Sequence, residues 1–448
     1  CTIADAASNN ATLTLPTSGA SNSLKNNKAL FVDNVSPTML TVTEGSNVSA
    51  VANDIDHQST AASLVISWTA SDTGSGIALY EYALGTTSGG TETVSWTGNG
   101  TALTDTLTFS GQSLLTETTT YYLSVRATDA AGNISAVSTG DGMYIDLTNP
   151  VAGAVIDGTT ADINYTASNS SLTFTWSDFS DGQSGIEYYN ASIEDDDGNS
   201  VVATTNVGTV TTWTVNNLSL VNAKTYEGVI QAVDYAGNVS TEVSSSVIVD
   251  TDGPVSGQVY DGGGNDIEWI SSTTSASLYW TGFSDTLSGI DHFEYAIGTS
   301  LGGSQAASWA NALIRDSSAS VTGMSLTHLT QYYSSVRAVD SVGNVSTTAI
   351  SDGFTVDTDV PTVSYIREGV TGELDIQNVD SLISTRWLGA DIATGSGVDF
   401  YEVALGTSVG DSSTVGWFVQ DHPDTLEDID DLDLTDATTY YVSVRVTD

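Results

Sequence analysis

Basic residues, cysteine, proline and long apolar runs are all scarce in this chain. Nine Lys and Arg stand against 55 Asp and Glu, a net charge of -46. Phosphate contacts need Lys and Arg, so charge-driven binding to nucleic acid or to an anionic membrane is disfavoured. The single cysteine, Cys1, excludes a disulfide framework. No stretch of 18 apolar residues occurs, so no segment reads as a membrane-spanning helix. No long 3.6-period apolar pattern occurs either, so helices should be nearly absent. The four histidines, His57, His292, His328 and His422, occupy unrelated places and lack partners at ligand or catalytic spacing. A Gly-x-Ser-x-Gly elbow, a His-Glu-x-x-His pair and a phosphate loop are all missing, so no enzyme is expected. Disorder is the usual reading of so acidic a chain. Here it is countered by 40% hydrophobic residues and by aromatics that recur periodically.

What the chain does have is one strand, repeated. Tyr121-Tyr-Leu-Ser-Val-Arg-Ala-Thr-Asp129 returns with its aspartate at Asp234, Asp340 and Asp448, at steps of 105, 106 and 108 residues. Its alternation makes each copy a half-buried strand. A leucine stands six residues before each first tyrosine: Leu115, Leu220, Leu326 and Leu434. Leu-x5-Tyr opening such a strand marks a tyrosine corner, where the phenol packs at a sheet corner and bonds nearby backbone. Upstream in each repeat an alternating strand ends on tryptophan: Trp68, Trp176, Trp280 and Trp387. A polar loop and a strand such as Tyr80–Gly85, Phe293–Gly298 or Tyr401–Gly406 follow. After the tyrosine strand comes an Asp-x-x-Gly-Asn turn, at Asp129, Asp234 and Asp340. Ahead of each unit a strand ends on an aspartate and then reaches a proline, at Pro37, Pro150, Pro254 and Pro361, which read as joints.

The order of tryptophan strand, Tyr-Glu-Tyr strand and Leu-x5-Tyr strand resembles the fibronectin type III family, and the tandem Ig-like repeats of bacterial cell surfaces above all. The fold expected is all-β: tandem antiparallel β-sandwiches, end to end as a rod. The expected layout is a tether or stem over 1–32 with one strand at Lys28–Asp33, then sandwiches over 33–148, 149–252, 253–359 and 360–448. The last of these lacks its closing strand. The resemblance implies a non-catalytic extracellular stalk, adhesin or appendage subunit, whose partners are copies of itself, other surface proteins, or a host or matrix glycan or protein. The alternatives are an accessory arm of a larger secreted hydrolase and a carbohydrate-binding module. Two accounts of the fourth unit stand. Either the chain continues past 448, or Lys28–Asp33 of one copy completes the fourth sandwich of the next and builds a filament.

Charge pairing supplies one further expectation. Glu81, Glu294 and Glu402 share a position, Arg126, Arg337 and Arg445 share another, and both turn neutral together at Asn190 and Gln231. In neighbouring strands this reads as a cross-strand ion pair.

The acids are the only candidates for chemistry. Hard cations take several oxygen ligands, and calcium is the cofactor that so acidic a surface admits. The candidate ligands are Asp33, Asp146, Asp250 with Asp252, and Asp357 with Asp359 at the joints, combined with Asp129, Asp234 and Asp340 of the turns. The loop after each tryptophan holds a second group: Asp72, Asp178, Asp181, Asp285 and Asp391. A solvated acidic surface is the competing reading. Cys1 resembles the first residue of a bacterial lipoprotein, with residues 2–27 as its polar tether. That resemblance implies lipidation of Cys1, export to the cell surface or outer membrane, and membrane contact only through the N-terminal lipid.

Overall fold

The computed structural model describes residues 7, 20, 31–45, 54–369, 372–391, 394–421, 423 and 425–448. Contacts group the chain into two compact units, one of residues 1–163, 171–217 and 225–247, the other of 164–170, 218–224 and 248–448. Among the described residues the secondary structure is strand throughout, apart from one short 3-10 turn at Gly111–Ser113. The strands form eight sheets, two for each sequence repeat.

The third repeat shows the plan. Gln258–Asp261, the tryptophan strand Ser275–Thr281 and Ser318–Thr322 make a three-stranded antiparallel sheet. The facing sheet runs, in order, Trp269–Ile270, Phe354–Val356, the tyrosine strand Gln331–Asp340, Ile290–Gly298 and Ala307–Leu313. Alternation in the sequence becomes alternation in burial. Ala276, Leu278 and Trp280 point inward from one sheet, and Tyr332, Val336 and Ala338 from the other. Trp280 lies 2% exposed between the sheets, its ring centroid 5.5 Å from that of Phe293. Trp68, Trp176 and Trp387 are buried in the same way. Removing such a core aromatic typically costs 3–5 kcal/mol, so these four rings are what each pair of sheets closes around.

The tyrosine corners form as read. The Tyr121, Tyr332 and Tyr440 hydroxyls accept the backbone N–H of Thr116, Thr327 and Thr435 at 3.0, 2.9 and 2.9 Å. Three residues after each corner leucine the chain turns through a left-handed residue: Thr118, Ala223, Leu329 and Ala437, with φ between 52° and 61°.

The opening segment of three repeats passes from one sheet to the other. Its second part, at His57–Gln58, Tyr165–Thr166 and Trp269–Ile270, pairs in parallel with the closing strand of the same repeat. In the fourth repeat the second sheet holds Val415–Asp421, Phe400–Gly406 and Tyr441–Thr447. The strand expected over Lys28–Asp33 is not found where it can be judged: Phe31, Val32 and Asp33 lie outside any strand. Phe31 and Val32 are exposed, so burial adds nothing to stabilise an extended strand there. Lys28–Leu30, Cys1 and most of its tether, and His422, fall outside the described residues.

Candidate cation sites at the joints

Each joint is organised by one aspartate with two roles. Its backbone N–H ends a sandwich. Asp146 donates to the Gln58 carbonyl at 3.1 Å, Asp250 to Thr166 at 2.9 Å and Asp357 to Ile270 at 2.9 Å, in each case closing the parallel ladder. Its side chain meets the next repeat. Asp146 Oδ2 accepts the Ser184 N–H at 3.0 Å, Asp250 Oδ2 that of Ser288 at 3.1 Å and Asp357 Oδ2 that of Ser396 at 2.6 Å. Asp33 does the same toward Ser75 at 2.6 Å.

The Asp-x-x-Gly-Asn turn approaches from the other side. Asp129 accepts the Asn133 N–H and side-chain amide, both at 2.8 Å, and Asn133 Nδ2 also donates to the Asp33 carbonyl at 3.1 Å. Asn238 reaches the Asp146 carbonyl at 3.0 Å, and Asn344 the Asp250 carbonyl at 2.9 Å. Glycine makes the turn possible, since Gly132, Gly237 and Gly343 hold φ of 92°, 87° and 92°.

The loop after the tryptophan strand adds a third carboxylate. Three sets result: Asp33, Asp72 and Asp129; Asp146, Asp181 and Asp234; Asp250, Asp285 and Asp340. In each, one oxygen from every carboxylate lies within 4.8 Å of the others. Calcium–oxygen distances of about 2.3–2.6 Å place ligands on opposite sides of the ion about that far apart. The donor set fits a hard cation in another respect. Asp72 Oδ1, Asp285 Oδ2 and Asp391 Oδ1 are buried oxygens without a hydrogen-bond partner, as are the hydroxyls of Ser184 in the Asp181 loop and of Ser288 in the Asp285 loop. Buried polar atoms are rarely left so.

Three of these carboxylates, Asp33, Asp129 and Asp357, are held ionised by their donors. The Val35 and Ser75 N–H groups keep Asp33 below its ordinary range. At Asp129 burial pushes upward, but the Asn133 side chain, its N–H and that of Ala131 outweigh it and the carboxyl is lowered. Asp357 is lowered likewise, the Ser396 and Asp359 N–H groups overcoming burial.

Sequence reasoning placed the joint and turn aspartates together but kept the tryptophan-loop aspartates apart. The fold brings all three to one place. Asp252 and Asp359 face elsewhere: Asp252 Oδ2 accepts the Asn222 amide at 2.8 Å, and Asp359 lies 3.6 Å from His328 Nε2. Asp178 pairs with its neighbour Ser177. His328 is therefore not an isolated loop histidine, since its Nδ1 also accepts the Thr358 N–H at 3.1 Å.

The expected ion pairs are present in direct register, Glu81 opposite Arg126, Glu294 opposite Arg337 and Glu402 opposite Arg445. Asn190 faces Gln231 in the second repeat. One part was missed. Trp96, Trp309 and Trp417 each lie under the guanidinium, 4.4, 4.5 and 4.4 Å from ring centroid to Cζ. One face of each ring is thus covered by arginine.

The fold and its repeated joints define the class: this is a tandem array of fibronectin type III/Ig-like sandwiches. No protein-family model matches the chain. It is 30% identical over 377 residues to Exoglucanase B of Cellulomonas fimi, covering 79% of this chain and 31% of that protein. It is 29% identical over 356 residues to Endoglucanase B of the same organism, covering 74% of this chain and 30% of that protein. The chain therefore spans about a third of the length of the curated relatives it matches. Among solved structures, the fibronectin(III)-like modules of Clostridium thermocellum CbhA align over 47% of this chain and 94% of theirs, with 18% identity and a TM-score of 0.30. The FN1–FN3 domains of chicken CNTN1 align over 67% of this chain and 94% of theirs, with 17% identity and a TM-score of 0.29.

Proposed function

We propose that this chain is a non-catalytic accessory arm of a larger secreted polysaccharide hydrolase, with calcium fastening its joints. The observation that carries the reading is the joint aspartate, whose backbone closes one sandwich while its side chain is gripped by loops of the next. Such a residue transmits orientation between neighbours, which is what a spacer needs. The likeness to two glucanases supports it, because it runs through most of this chain but only about a third of theirs. The same likeness favours an enzyme's arm over a surface stalk or adhesin, and an extracellular location. Calcium would sit among the three carboxylates of each joint, drawing on the oxygens that lack donors.

Two measurements test this. The intact secreted product should carry a glycoside-hydrolase catalytic domain in the same chain, and a native product consisting of sandwiches alone would refute the arm. Calcium should slow amide exchange at the Asp250 joint, and Asp285→Asn should remove that response. Equal exchange with calcium and with chelator would refute calcium fastening and leave the arm reading standing.

A further inference from the structure

A second acidic position repeats away from the joints. The opening strand of each sandwich ends on an acid followed by glycine: Glu44-Gly45, Asp157-Gly158, Asp261-Gly262 and Glu368-Gly369. In the first three repeats the acid points inward, and Glu44, Asp157 and Asp261 are 1%, 1% and 0% exposed. Burying a carboxylate is costly unless donors or a cation meet it.

The third sandwich supplies donors. Asp261 Oδ1 accepts the Ser334 hydroxyl at 2.6 Å and Oδ2 accepts the Gly353 N–H at 3.1 Å. Ser334 stands two residues past the corner tyrosine. The first sandwich has Leu123 at that place, and no hydroxyl. Glu44 keeps one donor there, the Leu123 N–H, 2.9 Å from Oε1, while Oε2 is buried without any partner.

What faces Glu44 is more negative charge. One oxygen each of Glu44, Asp54 and Asp141 lies within 4.8 Å of the others. Asp54 is tied in place by the Glu44 backbone N–H, which donates to its Oδ1 at 2.9 Å. Among the described residues no ion pair reaches any of the three. The backbone is fitted to this arrangement, since a Cβ on Gly140 would collide with the Glu44 carboxylate.

We propose that Glu44, Asp54 and Asp141 form a calcium site within the first sandwich and separate from the joints. Three carboxylates, one of them almost wholly buried with a free oxygen, match the oxygen-rich, charge-neutralising coordination that calcium takes. The comparison with Asp261 explains why the first sandwich calls for the ion and the third does not. Where a serine hydroxyl satisfies the acid no cation is called for, and where leucine replaces that serine the oxygen stays open. Without the ion, burial, opposed by the Leu123 N–H and reinforced by the charges of Asp54 and Asp141, pushes Glu44 up to about 7. Proton and calcium therefore compete for one oxygen.

The test uses the full chain at pH 8, with hydrogen–deuterium exchange read peptide by peptide while calcium is titrated. Calcium should slow exchange at least tenfold in peptides covering 38–44, 120–125 and 139–145. Glu44→Gln preserves shape and an acceptor for the Leu123 N–H, and it should abolish that response while calcium protection at the Asp250 joint persists. Asp54→Asn and Asp141→Asn, at exposed positions, should each weaken the calcium midpoint tenfold or more and serve where Glu44→Gln fails to fold. A wild-type protein whose three peptides ignore calcium overturns the site, as does a folded Glu44→Gln or Asp54→Asn chain that keeps the full response. Loss of the response at the joints alone would count against the joint sites and leave this one intact.

Discussion

The tier of tryptophan, arginine and glutamate on the outer face of the third sandwich can be taken apart one layer at a time. Arg337 Nε donates to Glu294 Oε2 at 2.5 Å, and its guanidinium lies over Trp309. The two charged side chains are 34% and 21% exposed, so solvent screens them in part. A cross-strand pair of this kind contributes about 0.2–1 kcal/mol. A cation over an indole at a partly exposed site contributes about 0.5–1 kcal/mol. Arg337→Gln removes both, for a loss of roughly 1–2 kcal/mol, whereas Glu294→Gln removes only the ion pair. The two contributions differ in salt dependence. Raising ionic strength to 1 M shortens the Debye length to about 3 Å, which weakens the Glu294–Arg337 coupling and leaves most of the Arg337–Trp309 coupling. Amide exchange over 331–340 reads local opening of the tyrosine strand, and double-mutant cycles with Glu294→Gln and Trp309→Leu isolate each coupling. The second sandwich, with Asn190 and Gln231 in the same register, is an internal reference that should not change. A loss under about 0.3 kcal/mol for Arg337→Gln would refute the reasoning, as would a second sandwich that shifts as much as the third.

Two further outcomes are expected. Burial, opposed by the Ile163 N–H and reinforced by the Asp162 charge, pushes Asp157 up to about 6. The folded state then holds this proton more tightly than the unfolded chain, so its contribution to stability is fullest below the ordinary carboxylate range. It is lost as pH rises through about 6. Exchange-derived stability of Ala154–Asp157 and Ser171–Ser177 should fall between pH 4 and 7, and Asp157→Asn should flatten the profile; parallel profiles would reject the assignment. Ala223 is exposed and left-handed, at φ 61°. That conformation costs a non-glycine residue about 1–2 kcal/mol, so Ala223→Gly should stabilise the second sandwich modestly even after the added unfolded-state entropy. A measured destabilisation above about 0.5 kcal/mol would show that the corner is not strained.

The corners, the buried tryptophans and the Glu–Arg pairs were legible because each depends on period-two alternation inside a strand, and four copies fix the positions. Trp96, Trp309 and Trp417 were not, since their place beside arginine depends on the register of an outer strand that pairs through a bulge. The joints were half legible. Asp33 and Asp129 were placed together, but Asp72 stood in a separate group, because only the packing of two loops at one end of a sandwich brings it near. Glu44, Asp157 and Asp261 were missed because an acid on an alternating strand reads as facing water. The signal was there nonetheless: an acid followed by glycine closes the opening strand of every repeat, and Gly45, Gly158, Gly262 and Gly369 all adopt positive φ.

The short parallel pairing inside three of the sandwiches bears on how such a chain carries a pulling force. In the third, the Thr355 N–H donates to Glu268 at 2.7 Å and that of Asp357 to Ile270 at 2.9 Å; the first and second repeat the same two bonds. Because the strands run in the same direction, the chain enters this patch at one end and leaves at the other. Tension along the backbone loads both bonds in shear, so they must fail together, where an antiparallel pair pulled from one end would peel open bond by bond. The residue at the exit is the joint aspartate, held in turn by the following repeat. Tension leaving such a sandwich would thus pass through the same aspartate whose carboxylate is bonded by the following repeat.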